Sequence, residues 1–272
     1  MKKTITFFLL LLFASGVFYS CQDKQDVDPY SISSDVRNQL IRLGFDVVNH
    51  PPISFDDGYL VEGDIYLTPA DLSSMGARKR VPTVEQYSTN QLVTALPRTV
   101  TVYMPTTFSA ANFSAVDEAI RRYNAENLLI KFSRVTSSTG AGIVFTRLTK
   151  SQERQGVLGS SGFPTSSGDP YGVIKMSGVL ESTYHLTVDG IATIMAHEMG
   201  HCIGFRHTDY YDRSISCGGA TSNEGASTVG ANLIPGTPST ATLAAQSWML
   251  ACTDGSNRYF NTDDKTALTY LY

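Results

Sequence analysis

The run His197-Glu198-Met199-Gly200-His201-Cys202-Ile203-Gly204-Phe205-Arg206-His207 holds three of the chain's five histidines. His197 and His201 are four apart, so on a helix both imidazoles leave the same face, one turn apart. That spacing suits a pair of zinc ligands, with Glu198 beside them to work on a water at the metal. Gly204 comes three residues after His201, where a helix must stop if the chain is to turn back. Glycine can take the left-handed conformation such a turn often needs. The turn returns His207 as a third ligand and leaves the fourth tetrahedral position open, as a catalytic zinc site requires. The plainer reading, an amphipathic helix with surface histidines, leaves the fixed offsets of Gly204 and His207 unexplained.

This extended pattern resembles the metzincin clan of zinc endopeptidases, whose second mark is a Met-turn further along. Ser247-Trp248-Met249, forty-two residues past His207, stands where that turn is expected. With Thr208 and Asp209 added, the run is similar to the bacterial dual-action HEIGH metallo-peptidases, Met199 replacing the isoleucine of their name. The resemblance covers residues 98 to 272; whether it takes in Val61–Asp64 the sequence leaves open. It implies an α+β fold: a twisted mixed sheet with two long helices above the cleft, and an irregular lower part with the Met-turn and a C-terminal helix. It also implies Zn2+ on His197, His201 and His207, Glu198 as general base and acid, and Met249 as an apolar floor. In astacins a tyrosine two past that methionine approaches the metal; here the position is Ala251.

The chain's 272 residues are 42% hydrophobic and 17% charged, with a formal net charge of −4. That describes one globular domain, or a domain plus an appendage, with a monomer expected. It offers no basic footprint for nucleic acid. Lys2 and Lys3 precede an apolar run from Ile5 to Phe18, which reads as a secretory signal too short to span a bilayer well. Cys21 at its end resembles a bacterial lipoprotein junction. This implies acyl chains on Cys21 and an outer-membrane or cell-surface place in a Gram-negative bacterium, with free secretion as the alternative. Phe18 and Tyr19 depart from the usual residues before such a cysteine. Several acyl chains would anchor the protein to the membrane firmly. Of the remaining Cys202, Cys217 and Cys252, one must stay unpaired. Cys202 points about 100° away from His201, into core or a disulfide. Pairing Cys217 with Cys252 would tie the loop after the metal motif to the Met-turn, but the sequence does not choose among the three pairs.

Residues 22 to 35 read as a tether, followed by a short helix through Val36, Leu40, Ile41 and Leu43 that ends at Gly44. A turn and strand follow over 56–67. Within it, Glu62-Gly63-Asp64 is similar to the Phe-x-Gly-Asp of astacin propeptides, where an aspartate takes the water's place on zinc. Val61 replaces the phenylalanine. Asp64 as a latency switch stands against a surface Gly-Asp in a small accessory domain. Residues 73–97 read as a linker. Arg78-Lys79-Arg80 within it is either a site for trypsin-like cleavage or a solvated charge run. The expected organisation is a signal over 1–20, a tether with pro-segment or accessory domain over 21–97, and a catalytic domain over 98–272.

In that last part, strands are expected over 99–104, 128–135, 142–147 and 171–176, and a helix over 113–127 capped by Ser114. Residues 156–164 read as a Gly/Ser loop. The active-site helix runs from Thr187 to Ile203, and a closing helix starts with Thr262 as cap. By the resemblance, one strand is an antiparallel edge that binds an extended protein or peptide substrate by strand addition. The irregular loop over 214–246 would wall the pocket after the scissile bond. Asp209 is a candidate for holding a ligand histidine by its second nitrogen, or simply a loop residue. The function expected is a zinc-dependent endopeptidase made as an exported zymogen. The rivals are a binding lipoprotein that keeps the fold, which has no need of an intact Glu198, and a zinc hydrolase of non-peptide substrates.

Overall fold

The structure, a computed structural model, describes residues 31–74, 86–225, 230–238 and 240–272. The stretch read as a secretory signal, Cys21 and Arg78-Lys79-Arg80 lie outside the described residues. In chain order the elements are α1 (Ser34–Leu43), β1 (Ile53–Phe55), β2 (Gly58–Val61), β3 (Ile65–Leu67), α2 (Pro69–Ser74), β4 (Tyr87–Ser88), β5 (Arg98–Tyr103) and α3 (Ala110–Ala125). Then come β6 (Ile130–Val135), β7 (Ile143–Arg147), α4 (Lys150–Arg154), β8 (Gly159–Ser160), β9 (Val173–Met176) and α5 (Val188–Cys202). The chain ends with α6 (Ser214–Cys217), β10 (Asn232–Leu233), a short 3₁₀ turn at Leu243–Ala245, and α7 (Thr262–Leu271).

The α+β body is built on a five-stranded sheet of order β6-β5-β7-β9-β8, parallel except for β8, which pairs antiparallel with β9 at the edge. Alternate residues point to one face, and Val100, Val102, Phe132, Ile143, Phe145 and Ile174 are all buried there. They share one core with Val116, Ala119, Ile120 and Tyr123 of α3 and with Ile191, Met195 and Met199 of α5. From Gly190 to Cys202, α5 is buried all round, which explains its weak amphipathic signal. Tyr123 donates to the Ala196 carbonyl at 2.8 Å and fixes the register of α3 against α5.

Several element boundaries differ from the sequence reading. α3 starts at Ala110, because Ser109 and not Ser114 accepts the cap hydrogen bond, from the Asn112 amide. α7 is capped by Asn261 in a reciprocal box with Asp264, so Thr262 is its first helical residue. The antiparallel edge is none of the four expected strands. It is β8, inside the Gly/Ser stretch read as loop, where low strand propensity hides it. Ile41 of α1 is exposed, while Leu40 and Leu43 are buried.

Residues 31–74 have a small core of their own, with Leu40, Leu43, Phe45, Val61, Ile65 and Leu67 in one cluster. It docks on the body through Phe55, Leu60 and Tyr66 against Leu148 and Val157. Residues 86–97 are not a linker. β4 pairs with β10, Thr89 donates to the Gly204 carbonyl at 2.8 Å, and the Arg206 amide donates to the Tyr87 carbonyl at 2.8 Å. Tyr87 is fully buried and Val93 nearly so. This segment clamps the turn between the second and third histidines.

Candidate metal centre

α5 begins where Thr187 caps it, and Asp189 lies in its first turn. It ends at Cys202, and Gly204 then takes φ 109°, a left-handed value that a side chain rarely tolerates. The reversal brings His207 back to the helix. His201 Nε2 lies 3.1 Å from His197 Nε2 and 3.2 Å from His207 Nε2. Asp64, from the turn between β2 and β3, places Oδ2 3.0 Å from His207 Nε2 and 3.4 Å from His197 Nε2. These four donor atoms all lie within 4.8 Å of one another.

The other ring nitrogen decides what the Nε2 atoms can do. His197 Nδ1 is 2.8 Å from the Trp248 carbonyl, and His201 Nδ1 is 2.8 Å from the Phe205 carbonyl. Carbonyls only accept, so both Nδ1 atoms carry the proton and both Nε2 atoms present lone pairs. His207 Nδ1 faces Glu224 Oε1 at 2.7 Å, with the same consequence. Three lone pairs and a carboxylate oxygen converging this closely repel one another unless a cation sits among them. Against burial, the carboxylates of Asp64 and Glu224 push His207 up to about 10, so a proton on its Nε2 and a metal ion compete for the same place beside Asp64. Three imidazoles and one carboxylate are donors suited to tetrahedral zinc.

Glu198, beside the first histidine, is 2% exposed and not one of the four donors. Ser161, the residue after β8, donates to Glu198 Oε2 at 2.7 Å. Gly159 leaves space for that carboxylate: a β-carbon there would lie 2.6 Å from Glu198 Oε1. Burial pushes the Glu198 carboxyl well up and the Asp64 carboxylate adds to this, while Ser161 opposes it. A bound dication would pull it back down. Met249 is fully buried, and its carbonyl accepts from the Thr208 amide at 2.8 Å. The Met-turn therefore serves His197 through Trp248 and underlies the turn that carries His207.

Two readings that the sequence left open are decided here. Asp209 does not hold a ligand. Its carboxylate accepts from Ser216 Oγ at 2.6 Å and from the Ala251 amide at 2.9 Å. Glu224 fills the role instead, and nothing in the sequence of its irregular loop marks it out. Cys217 and Cys252 form the disulfide, and Cys202 is free and buried.

Beyond the donors lies a buried charge network. Arg206 Nη2 lies 3.2 Å from Glu62 Oε2 and 3.4 Å from Glu224 Oε2, all three groups being almost wholly enclosed. Arg213 Nη1 donates to the Glu62 carbonyl at 2.8 Å and to Glu224 Oε1. Against burial, His207 and Arg213 hold Glu224 well below the usual carboxylate range. Burial, with the Glu224 carboxylate, raises Glu62 well above the usual carboxylate range against the pull of Arg206, His207 and Arg213. Gly63 and Asp64 join His197, Glu198, Arg213 and Trp248 in lining a cavity of about 260 Å3.

The β2–β3 segment also covers the sheet edge. The Ser161 amide donates to the Asp64 carbonyl at 3.0 Å, and the Tyr66 amide donates to the Ser161 carbonyl at 2.8 Å. Ile65 and Ser161 thus form a parallel bridge beside the metal position.

The chain resembles two solved structures of myroilysin. One shows 15% identity with a TM-score of 0.40 over 68% of this chain and 98% of that one. The other shows 14% identity with a TM-score of 0.41 over 77% and 98%. It also resembles high choriolytic enzyme 1, a hatching-enzyme zinc-protease of the medaka fish Oryzias latipes, at 15% identity and a TM-score of 0.37 over 64% and 88%. No curated protein matches the chain in sequence. The family model of the dual-action HEIGH metallo-peptidases matches residues 59–272, taking in Val61–Asp64 as well as the histidine motif. The chain belongs to that family, and with this donor set it is a zinc-dependent peptidase.

Proposed function

We propose that the protein is a zinc endopeptidase held latent by its own residues 31–74. The observation that carries this reading is the convergence of three Nε2 lone pairs with Asp64 Oδ2, beside a Glu198 left free for proton transfer. His197, His201 and His207 would hold the metal, their rings oriented by Trp248, Phe205 and Glu224. When bound, zinc supplies a Lewis acid that polarises the scissile carbonyl and makes water acidic enough to attack it at neutral pH. Glu198 takes the proton of the attacking water and delivers it to the leaving amine. Ser161 holds Glu198 in place for both transfers. The free backbone groups of Ser161 bind an extended peptide by strand addition once the β2–β3 segment has left.

In the uncut chain that segment blocks both features. Asp64 would supply a fourth donor to the metal, and the backbone of Asp64 and Tyr66 occupies the Ser161 amide and carbonyl that a peptide would use. Export, and acyl chains on Cys21 that hold the protein at a bacterial surface, are part of the same reading and rest on the first 26 residues. Among the described residues no helix is long and apolar enough to cross a membrane.

The test is casein hydrolysis by the full chain before and after limited trypsin. Activity is expected only after cleavage, abolished by a chelator and absent in Glu198→Ala, which keeps its zinc. Asp64→Ala is expected to give activity without trypsin. Full turnover by Glu198→Ala would sink the mechanism, and an Asp64→Ala chain as silent as its parent would sink the latency.

A further inference from the structure

We infer that the space filled by Glu62 is a substrate pocket selective for an acidic side chain within two residues of the scissile bond. The inference rests on the peptidase reading above and names the kind of substrate that site takes. Glu62 lies two residues from Asp64 along the chain, so the segment that supplies a donor to the metal also sends a carboxylate into the neighbouring pocket. That carboxylate is 2% exposed and meets the Arg206 guanidinium with both oxygens, at 3.4 and 3.2 Å. Arg213 donates to the Glu62 carbonyl beside it and is itself 4% exposed. Its Nε, equally buried, has no hydrogen-bond partner among the described residues.

The charge balance of this pocket depends on Glu62. With it present, two guanidiniums face two carboxylates, Glu62 and Glu224. Without it, Arg206 keeps the Gly225 and Gly230 carbonyls and Glu224, and Glu224 is already engaged by His207 Nδ1 and Arg213. Arg206 then lacks the two carboxyl oxygens it met at 3.4 and 3.2 Å, so an incoming side chain is selected for the pair of acceptors that Glu62 had. Glutamate and aspartate meet that demand; an apolar side chain or a lysine does not. Glu62 is on this view the enzyme's own imitation of the substrate residue it keeps out.

The trypsin-treated full chain is given a peptide library derived from a proteome, and its cleavage sites are mapped by mass spectrometry. Glutamate or aspartate is expected to be enriched at one position within two residues of the cut. Paired peptides differing by Glu against Gln at that position should differ in kcat/KM by roughly 10- to 100-fold. Arg213→Gln should narrow that ratio towards one. Because this variant risks misfolding, a second measurement uses the wild-type protein. Inhibition by a synthetic peptide spanning residues 59–67 should weaken by roughly 10-fold or more when its Glu62 is replaced by Gln. Active cleavage with no acidic position near the cut, or equal inhibition by the two peptides, overturns the inference while leaving the peptidase reading in place. Zinc bound with no cleavage of any peptide overturns that reading and the inference with it.

Discussion

Glu224 lies seventeen residues past His207, in a loop without periodicity, yet its carboxylate sets how that imidazole points. Glu224→Gln keeps the shape but loses the charge behind the ligand. Zinc affinity is expected to fall by about 10- to 100-fold, measured by competition with a chromogenic chelator. Unchanged affinity would remove Glu224 from the site. His197, Glu198 and His201 were legible in the sequence because helical period is a local rule, and His207 because one glycine sets the turn. Glu224, Arg213 and Ser161 were not, since each reaches the site across a chain separation that no periodicity encodes. Asp209 shows the converse. It is next but one to His207 in sequence, but the turn aims it at Ser216 and the backbone after the Met-turn.

Among the elements, α7 does more than close the chain. Asp264, in its first turn and fully buried, accepts from the Asn261 amide at 2.9 Å, Ser247 Oγ at 2.7 Å, the Trp248 amide at 3.3 Å and Gln86 Nε2 at 2.5 Å. One carboxylate therefore joins the helix start, the Met-turn and the segment that clamps the histidine turn. Asp264→Ala leaves these donors buried and unmet, at a cost on the order of 3 kcal/mol. Thermal unfolding should show a Tm lower by roughly 6–12 °C; a shift under about 2 °C would mean that water replaces the carboxyl without loss. The apolar strands and the buried stripe of α3 were readable from period alone. β8 was not, because two residues of glycine and serine carry no period and become a strand only by pairing with β9.

At the scale of the whole molecule, the body that carries the histidines includes more than the sequence marked out. Residues 86–97 lack the periodicity of core elements but pack into the body through Tyr87, Val93 and the Thr89–Gly204 hydrogen bond. A chain beginning at Gln86 is expected to fold and hold zinc. One beginning at Arg98 should lose cooperative unfolding and aggregate, as monitored by circular dichroism and size exclusion. Equal behaviour of the two would return the boundary to residue 98. The contact between Asp64 and the three histidines has one more consequence, which is reciprocal. Whatever affinity the fourth donor adds for the ion, the ion adds by the same factor for the docked segment. The uncut protein should therefore hold zinc at least ~10-fold more tightly than the cut one, as chelator titration of both forms would show. Under the proposed latency, free zinc would act as a brake: in a metal-rich medium a severed segment would linger in the cleft, and in a scarce one it would depart and leave the ion more weakly held.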